Sequence, residues 1–398
     1  MKTNSQLMLL FILFSQILYA NISIKTLSTE IPTYNFSFTN IGTSNWASGG
    51  VAMTEYGNPA APYSNPACLS ANRLTVYCEF GKGNKLNWFE DIYFEGRYIL
   101  PSFVSIAKPF GKWNISAGYM NYYYHHVERE ISPTYYDPES PGGYRSGPVE
   151  KFETDERLHS IFVSTSYRLN DIISAGITTG FNIFDYRDDL LEENKNNRDY
   201  GFMMSAGWLV RPMPNLALAN HIKYISDFEL DIKISTGTLK TAAYASHLNK
   251  NNSPYIPIHS DKWTCPVFFP WSVETGILYQ PLQRLTFLVM MEVLKWDNKS
   301  RDLNNIVNFR AGIKIGIFDP LSVRFGYYTR NGRSESTSDI YDQQFLTTGF
   351  VLNLTDRFTL SASYLDGILL SKDRQKSLYP AIKPIKQRYF SLGLGLLL

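Results

Sequence analysis

Residues 307–317 read VNFRAGIKIGI. Val307, Phe309, Ala311, Ile313, Ile315 and Ile317 fall on one parity, and Asn308, Arg310, Gly312, Lys314 and Gly316 on the other. A period of two belongs to the β-strand, whose successive side chains point to opposite faces. One face is wholly apolar and the other is glycine, amide and a few charges. A soluble β-sandwich keeps its apolar face inside and charges outside. Polar faces of glycine, serine and threonine suit the inner wall of a barrel whose apolar face meets lipid.

The same alternation recurs along the chain. Ile173, Ala175, Ile177, Thr179, Phe181 and Ile183 oppose Ser174, Gly176, Thr178, Gly180 and Asn182, and similar faces occur at 358–364 and 390–398. The spacing predicts fourteen strands, near 72–80, 98–108, 113–124, 157–168, 172–185, 200–211, 216–227, 271–280, 285–296, 306–317, 321–330, 344–353, 357–367 and 387–398. Each has the ten or so residues that a tilted strand needs to cross a bilayer.

The connections fix the architecture. Tight-turn signals stand at Pro109-Phe110-Gly111-Lys112, Leu169-Asn170-Asp171, Pro212-Met213-Pro214-Asn215, Pro281-Leu282-Gln283-Arg284, Phe318-Asp319-Pro320 and Thr355-Asp356. Between them come long polar stretches, such as 127–156, 228–270 and 370–386. Short and long connections alternate throughout, as in an outer-membrane barrel with tight periplasmic turns and long outer loops. The predicted class is all-β, a transmembrane antiparallel barrel of about 14 strands. An even count leaves both chain ends on the short-turn side.

Composition agrees. Aromatics reach 15% while charged residues are only 19%, a bias towards strand formers. Trp113, Tyr119, Tyr122, Tyr123, Tyr124, Tyr167, Trp208, Tyr224, Trp271, Tyr279, Trp296, Tyr327 and Tyr364 lie mainly towards strand ends, where amphipathic rings favour the lipid–water boundary. Net charge is +2 with no basic patch, which gives nucleic acid no footing.

Residues 1–20 carry Lys2, an apolar run from Leu7 to Leu18 and then Ala20, the pattern of a cleaved secretory signal. The chain therefore divides into a signal (1–20), an amino-terminal periplasmic or lumen segment (21–71) and the barrel (72–398). The expected location is the bacterial outer membrane, among its lipid and lipopolysaccharide.

The sequence offers no catalytic constellation, cofactor loop or metal spacing, and the chain reads as no enzyme. The histidines are scattered, with His125-His126 at a strand end and no carboxylate at ligand spacing. The string His259-Ser260-Asp261 has the letters of a triad, but neighbouring loop residues lack the geometry. Asp188, Asp189, Glu192 and Glu193 read as solvated loop charge. Cys68 and Cys78 either pair in an oxidising compartment or remain free thiols, as Cys265 does.

Function points to the inner wall. Arg310, Lys314 and Arg324 fall on the inward parity, with Glu274 and Glu292 inward on strands close by; they pair with one another, hold a plug or line a water path. Leu288, Met290, Phe162 and Met203 share that parity and ill suit a water-filled pore. Residues 265–271, CPVFFPW, end the longest loop, and Val267, Phe268, Phe269 and Trp271 are apolar enough to dock a greasy ligand or to pack within the loop. With Leu288 and Met290 they form the candidate ligand set.

Residues 49–71 read GGVAMTEYGNPAAPYSNPACLSA and show neither strand nor helix period. Gly49, Gly50 and Ala52, followed by Asn65-Pro66-Ala67 before the first strand, resemble the amino-terminal signature of the FadL-like outer-membrane transport proteins. That resemblance implies a fourteen-stranded barrel with a lumen hatch, and uptake of long-chain fatty acids or other hydrophobic small molecules. It also implies a kink or gap in the third strand, for which Gly118 is the candidate. Glu55 and Tyr56 depart from the family pattern, as does the terminal Leu398 where such barrels commonly end in an aromatic. The PorV-like group, attachment factors in type IX secretion whose partners are secretion-system proteins, shares the Asn-Pro-Ala element. A structural or adhesive surface barrel is a third reading.

Overall fold

The computed structural model describes residues 41–51, 53–83, 85–89, 92–95, 101–131, 134–136, 144–146, 150–188, 196–233, 262–296, 305–331, 343–367 and 388–398. Fourteen strands close into a ring: β1 Thr75–Gly83, β2 Pro101–Phe110, β3 Trp113–Ile131, β4 Glu150–Arg168, β5 Ile173–Asp188, β6 Asn196–Met213, β7 Leu216–Ile225, β8 Trp271–Leu282, β9 Leu285–Lys295, β10 Ile306–Phe318, β11 Leu321–Arg330, β12 Gln343–Asn353, β13 Phe358–Asp366 and β14 Arg388–Leu397. Each pairs antiparallel with its sequence neighbours, and β1 closes the ring on β14 from Thr75↔Leu397 to Gly83↔Tyr389. Closure leaves no unpaired edge, the condition for a sheet to stand in lipid.

The expected strand number holds. The strands run longer than the alternation suggested, however. β3 and β4 stay paired out to Ile131↔Glu150, far into what reads as a polar loop. Ladder hydrogen bonds do not depend on apolar side chains, so the sheet continues beyond the greasy belt. The 228–270 stretch likewise contains a ribbon pairing Phe228–Lys233 with Lys262–Val267.

Parity sets the two faces. Outward residues include Ile161, Ile177, Phe202, Val289, Phe309 and Phe325, all exposed. A continuous outward apolar face around a closed ring is the surface of a membrane-spanning barrel. Trp113 packs on Tyr167 at the short-turn border (centroids 4.6 Å apart) and Tyr224 on Trp271 at the other (5.0 Å), so both borders carry rings. Tyr122 and Trp296, expected at the lipid boundary, are instead buried and line an internal cavity.

Tyr122 shares the inward parity of Asn114, Ser116 and Met120, and beside it the β3–β4 register shifts between Asn121 and Tyr123. That one-residue bulge is the irregularity of the third strand, and it lies above Gly118. Gly118 itself is regularly paired, with Ser105 on β2 and Phe162 on β4. Its missing side chain accommodates the Phe162 ring, so no gap opens there.

Candidate functional site: a segment seated in the barrel

Residues 41–71 occupy the barrel interior. They contain two helical turns, Thr43–Trp46 and Ala61–Ser64, and a 3-10 turn, Pro66–Cys68. Such small-residue turns bury little among themselves, and their apolar groups pack on the wall. Val51, Met53, Ala67 and Leu69 join Leu209, Ala219, Leu288 and Met290 in one buried cluster.

Inward side chains from all round the ring hold this segment by its backbone. On β1, the Glu79 carboxylate accepts from Gly42 N (2.7 Å), Thr43 N (2.6 Å) and Tyr77 Oη (2.5 Å). Ser166 Oγ on β4 donates to Leu69 O (2.6 Å), and on β5 Ser174 Oγ and Thr178 Oγ1 donate to Ala67 O (2.8 Å) and Pro62 O (2.9 Å). On β12, Thr347 Oγ1 accepts from Gly49 N (2.9 Å). The serine and threonine wall thus adds partners to a backbone whose turns also hydrogen-bond internally, as from Trp46 N to Gly42 O and from Asn65 N to Ala61 O.

The signature residues are structural. Gly49 has φ 73°, and a Cβ there would stand 2.5 Å from Ala311 O and 2.7 Å from Tyr327 O. Both the left-handed backbone and the close approach require glycine. Asn65 Oδ1 accepts from Ala67 N (3.0 Å), capping the 3-10 turn that Pro66 begins, while Nδ2 donates to Met53 O (2.9 Å). Its amide packs where any side chain at Gly207 would stand. Ala52 lies outside the described residues.

Two ionic contacts pin the segment. Near the short turns, Glu55 meets Arg324 Nη1 (2.8 Å) and Lys314 Nζ (3.8 Å). Burial pushes the Glu55 carboxyl up, but the two cations outweigh it and hold it below the usual glutamate range. Nearer the long loops, Arg310 donates to Gly50 O (3.3 Å), pairs with Glu292 (2.8 Å) and lies over the Trp46 ring (5.3 Å). Glu274 is engaged by His221 Nδ1 (3.1 Å). The inward charges therefore form contacts with the segment and with each other.

A cavity of 420 Å³ lies at the short-turn end, bounded by Glu55, Arg284, Lys314 and Arg324. Another of 90 Å³ lies at the long-loop end, bounded by Trp46, Tyr63, Lys223 and Tyr328. Of the ligand set, Phe269 lines this upper cavity, and Val267 and Phe268 pack in the cluster beneath the loops. Leu288 and Met290 support the lumen segment. Trp271 stands on the other face of β8, exposed against Tyr224, so it belongs to the lipid border and not to the set. Strand parity decides this: Ser272 and Glu274 are the inward neighbours.

Cys68 and Cys78 are both free. Cys68 sits inside the segment with its Sγ donating to Met53 O (2.9 Å), whereas Cys78 lies on the parity opposite inward Tyr77 and Glu79, so the two cannot meet. Residues 1–20, 189–193 and 259–261 lie outside the described residues, as do the side chains of His125, His126, Asp188 and Cys265.

Glu79, Lys223, Tyr63 and Tyr328 escaped sequence reasoning. Counting by twos from Ala217 does bring Lys223 inward, but nothing in sequence reports that Tyr63 lies against it.

No family model matches the chain and no curated protein matches it in sequence. Solved structures do. The toluene transporter TbuX of Ralstonia pickettii matches at TM-score 0.64 and 11% identity, covering 90% of this chain and 98% of that one. The chain has the fold of this toluene transporter. The P. putida toluene transporter TodX matches at TM-score 0.62 and 12% identity (93% and 99% covered), and a Pseudomonas aeruginosa FadL homologue at 0.53 and 14% (93% and 99%).

Proposed function

We propose that this chain is an outer-membrane channel for passive uptake of hydrophobic compounds, long-chain fatty acids or other greasy solutes, with residues 41–71 as its gate. The observation that carries the reading is the lumen segment itself. Hydrogen bonds, two ionic contacts and apolar packing hold it to the wall, but it contributes no strand to the ring and so can shift without opening the barrel. The shared fold with channels described as toluene and monoaromatic hydrocarbon transporters supports the solute class.

Solute enters at the long-loop end, meets the aromatic cavity above the segment and leaves through the polar cavity beside Glu55 once the segment moves. The test is influx of radiolabelled toluene and oleate into proteoliposomes. The protein is expected to accelerate at least one of them over protein-free vesicles. Unchanged influx of both, with loss of secreted surface proteins from cells lacking the chain, would favour an attachment role in secretion instead.

A further inference from the structure

The 420 Å³ cavity at the short-turn end carries an excess of positive charge. Arg284, Lys314 and Arg324 line it against the carboxylates of Glu55 and Asp319. Asp319 offsets little of this: its side chain is 98% exposed and lies 3.4 Å from Arg284 Nη2, and an exposed pair of that kind is weak. Arg211 adds a fourth cation at the edge. Its guanidinium stands 4.3 Å from the centre of the Tyr56 ring, which itself lines the cavity.

The buried cations are under-matched. Arg324 meets Glu55 and Ser44 O through Nη1, while its buried Nε has no acceptor among the described residues. The buried Nε of Arg211 has none either. A guanidinium with an unmatched buried N–H favours an anion close by.

Glu55 shows what the cavity recognises. Its carboxylate, brought by the lumen segment, lies 2.8 Å from Arg324 Nη1 and 3.8 Å from Lys314 Nζ. The segment's own acid thus stands where the oxygens of a ligand would. Side-chain exposure falls from 62% at Arg284 through 37% at Lys314 to 6% at Arg324, so an anion coming from the short turns meets them in that order. Guanidinium forks match carboxylate and phosphate oxygens alike. A cavity of about 150 Å³ takes up benzene, so this space holds an anion of several oxygens together with water.

We infer that this cavity is a site for a small multivalent oxyanion, a polycarboxylate or a phosphate, that enters from the periplasm and competes with Glu55 for Lys314 and Arg324. Arg284 captures it at the rim and Lys314 receives it. An oxygen that replaces Glu55 on Arg324 then frees the segment from β11. The unlatching rests on the reading of the segment as a gate; the binding does not.

Calorimetric titration of the purified full-length barrel with sodium citrate and with sodium phosphate, at ionic strength fixed with sodium chloride, tests the site. At least one is expected to bind saturably, and the tighter of the two assigns the anion to carboxylate or phosphate. Arg284→Met leaves the Glu55 contact intact and is expected to weaken binding about tenfold, roughly 1.4 kcal/mol. Glu55→Gln removes the competitor and is expected to tighten binding about tenfold. No saturable binding of either anion, or binding that Glu55→Gln leaves unchanged or weakens, overturns the site. Leak conductance of the wild type in a planar bilayer is expected to rise when the anion is added, and from one side only. If binding follows this pattern and conductance does not rise, the site stands and its hold on the gate falls. Toluene influx into proteoliposomes, measured beside these, tests the channel reading separately.

Discussion

Glu55 Oε2 lies 2.8 Å from Arg324 Nη1, joining the lumen segment to β11 across 269 residues of sequence. The Arg324 side chain is buried and also donates to Ser44 O (3.0 Å), so one guanidinium ties two turns of the segment to the wall. Lys314 is more exposed, and its longer contact contributes less. Glu55→Gln should leave Arg324 buried without its counter-charge, a loss of up to about 3 kcal/mol. Hydrogen exchange of residues 41–71 should rise well above wild type while the strands stay protected.

The same pair sets a pH dependence. Glu55 is held below its ordinary value, so its contribution is complete above that value and is lost as pH falls through the lower, folded one. Docking of the segment should be constant from pH 7 to 5 and weaken below about 4, near the unperturbed glutamate range. Leak conductance measured across that span should rise at the acid end in wild type. In Glu55→Gln it should already be raised at neutral pH and change less.

Two glycines separate strain from space. Gly49 and Gly57 both have positive φ, but a Cβ at Gly57 would meet only Ser70 O at 3.8 Å. Gly57→Ala should cost about 1 kcal/mol of backbone strain. Gly49→Ala must also move the segment off Ala311 and Tyr327, and should raise leak conductance where Gly57→Ala does not.

Cys68 reports docking. Burial, and next the Glu55 carboxylate, push its thiol pKa well above the usual value, so it should resist alkylation. In a Cys78→Ser, Cys265→Ser background, iodoacetamide should label Cys68 slowly in wild type and at least about tenfold faster with Glu55→Gln, as the thiol reaches water.

The outward belt should not tolerate charge. Val289, exposed on β9, is predicted to cost about 2–4 kcal/mol when replaced by arginine at mid-membrane depth. The heat-shifted band of folded barrel on a denaturing gel should be reduced for Val289→Arg.

Much of this was legible in sequence because a barrel wall is a local pattern. The 307–317 alternation gives the face of every residue on β10, and the turn residues give the order of connections. What stayed hidden depends on contacts between distant stretches. Glu55 stands out only as an odd residue in a small-residue run until Arg324 and Lys314 are seen beside it. The parity of Trp271 was readable, yet its place in an apolar run with Phe269 suggested one common role. Counting by twos from Asn114 and Ser116 does bring Tyr122 inward; what the period cannot foresee is the bulge beside it.

The most direct test of the gate is the conductance of the purified barrel in a planar bilayer, with and without residues 49–67. The deleted form should still fold as a heat-modifiable barrel and show a persistent open level, while the intact chain stays closed. Equal, low conductance from two folded forms would contradict a gating role for the segment.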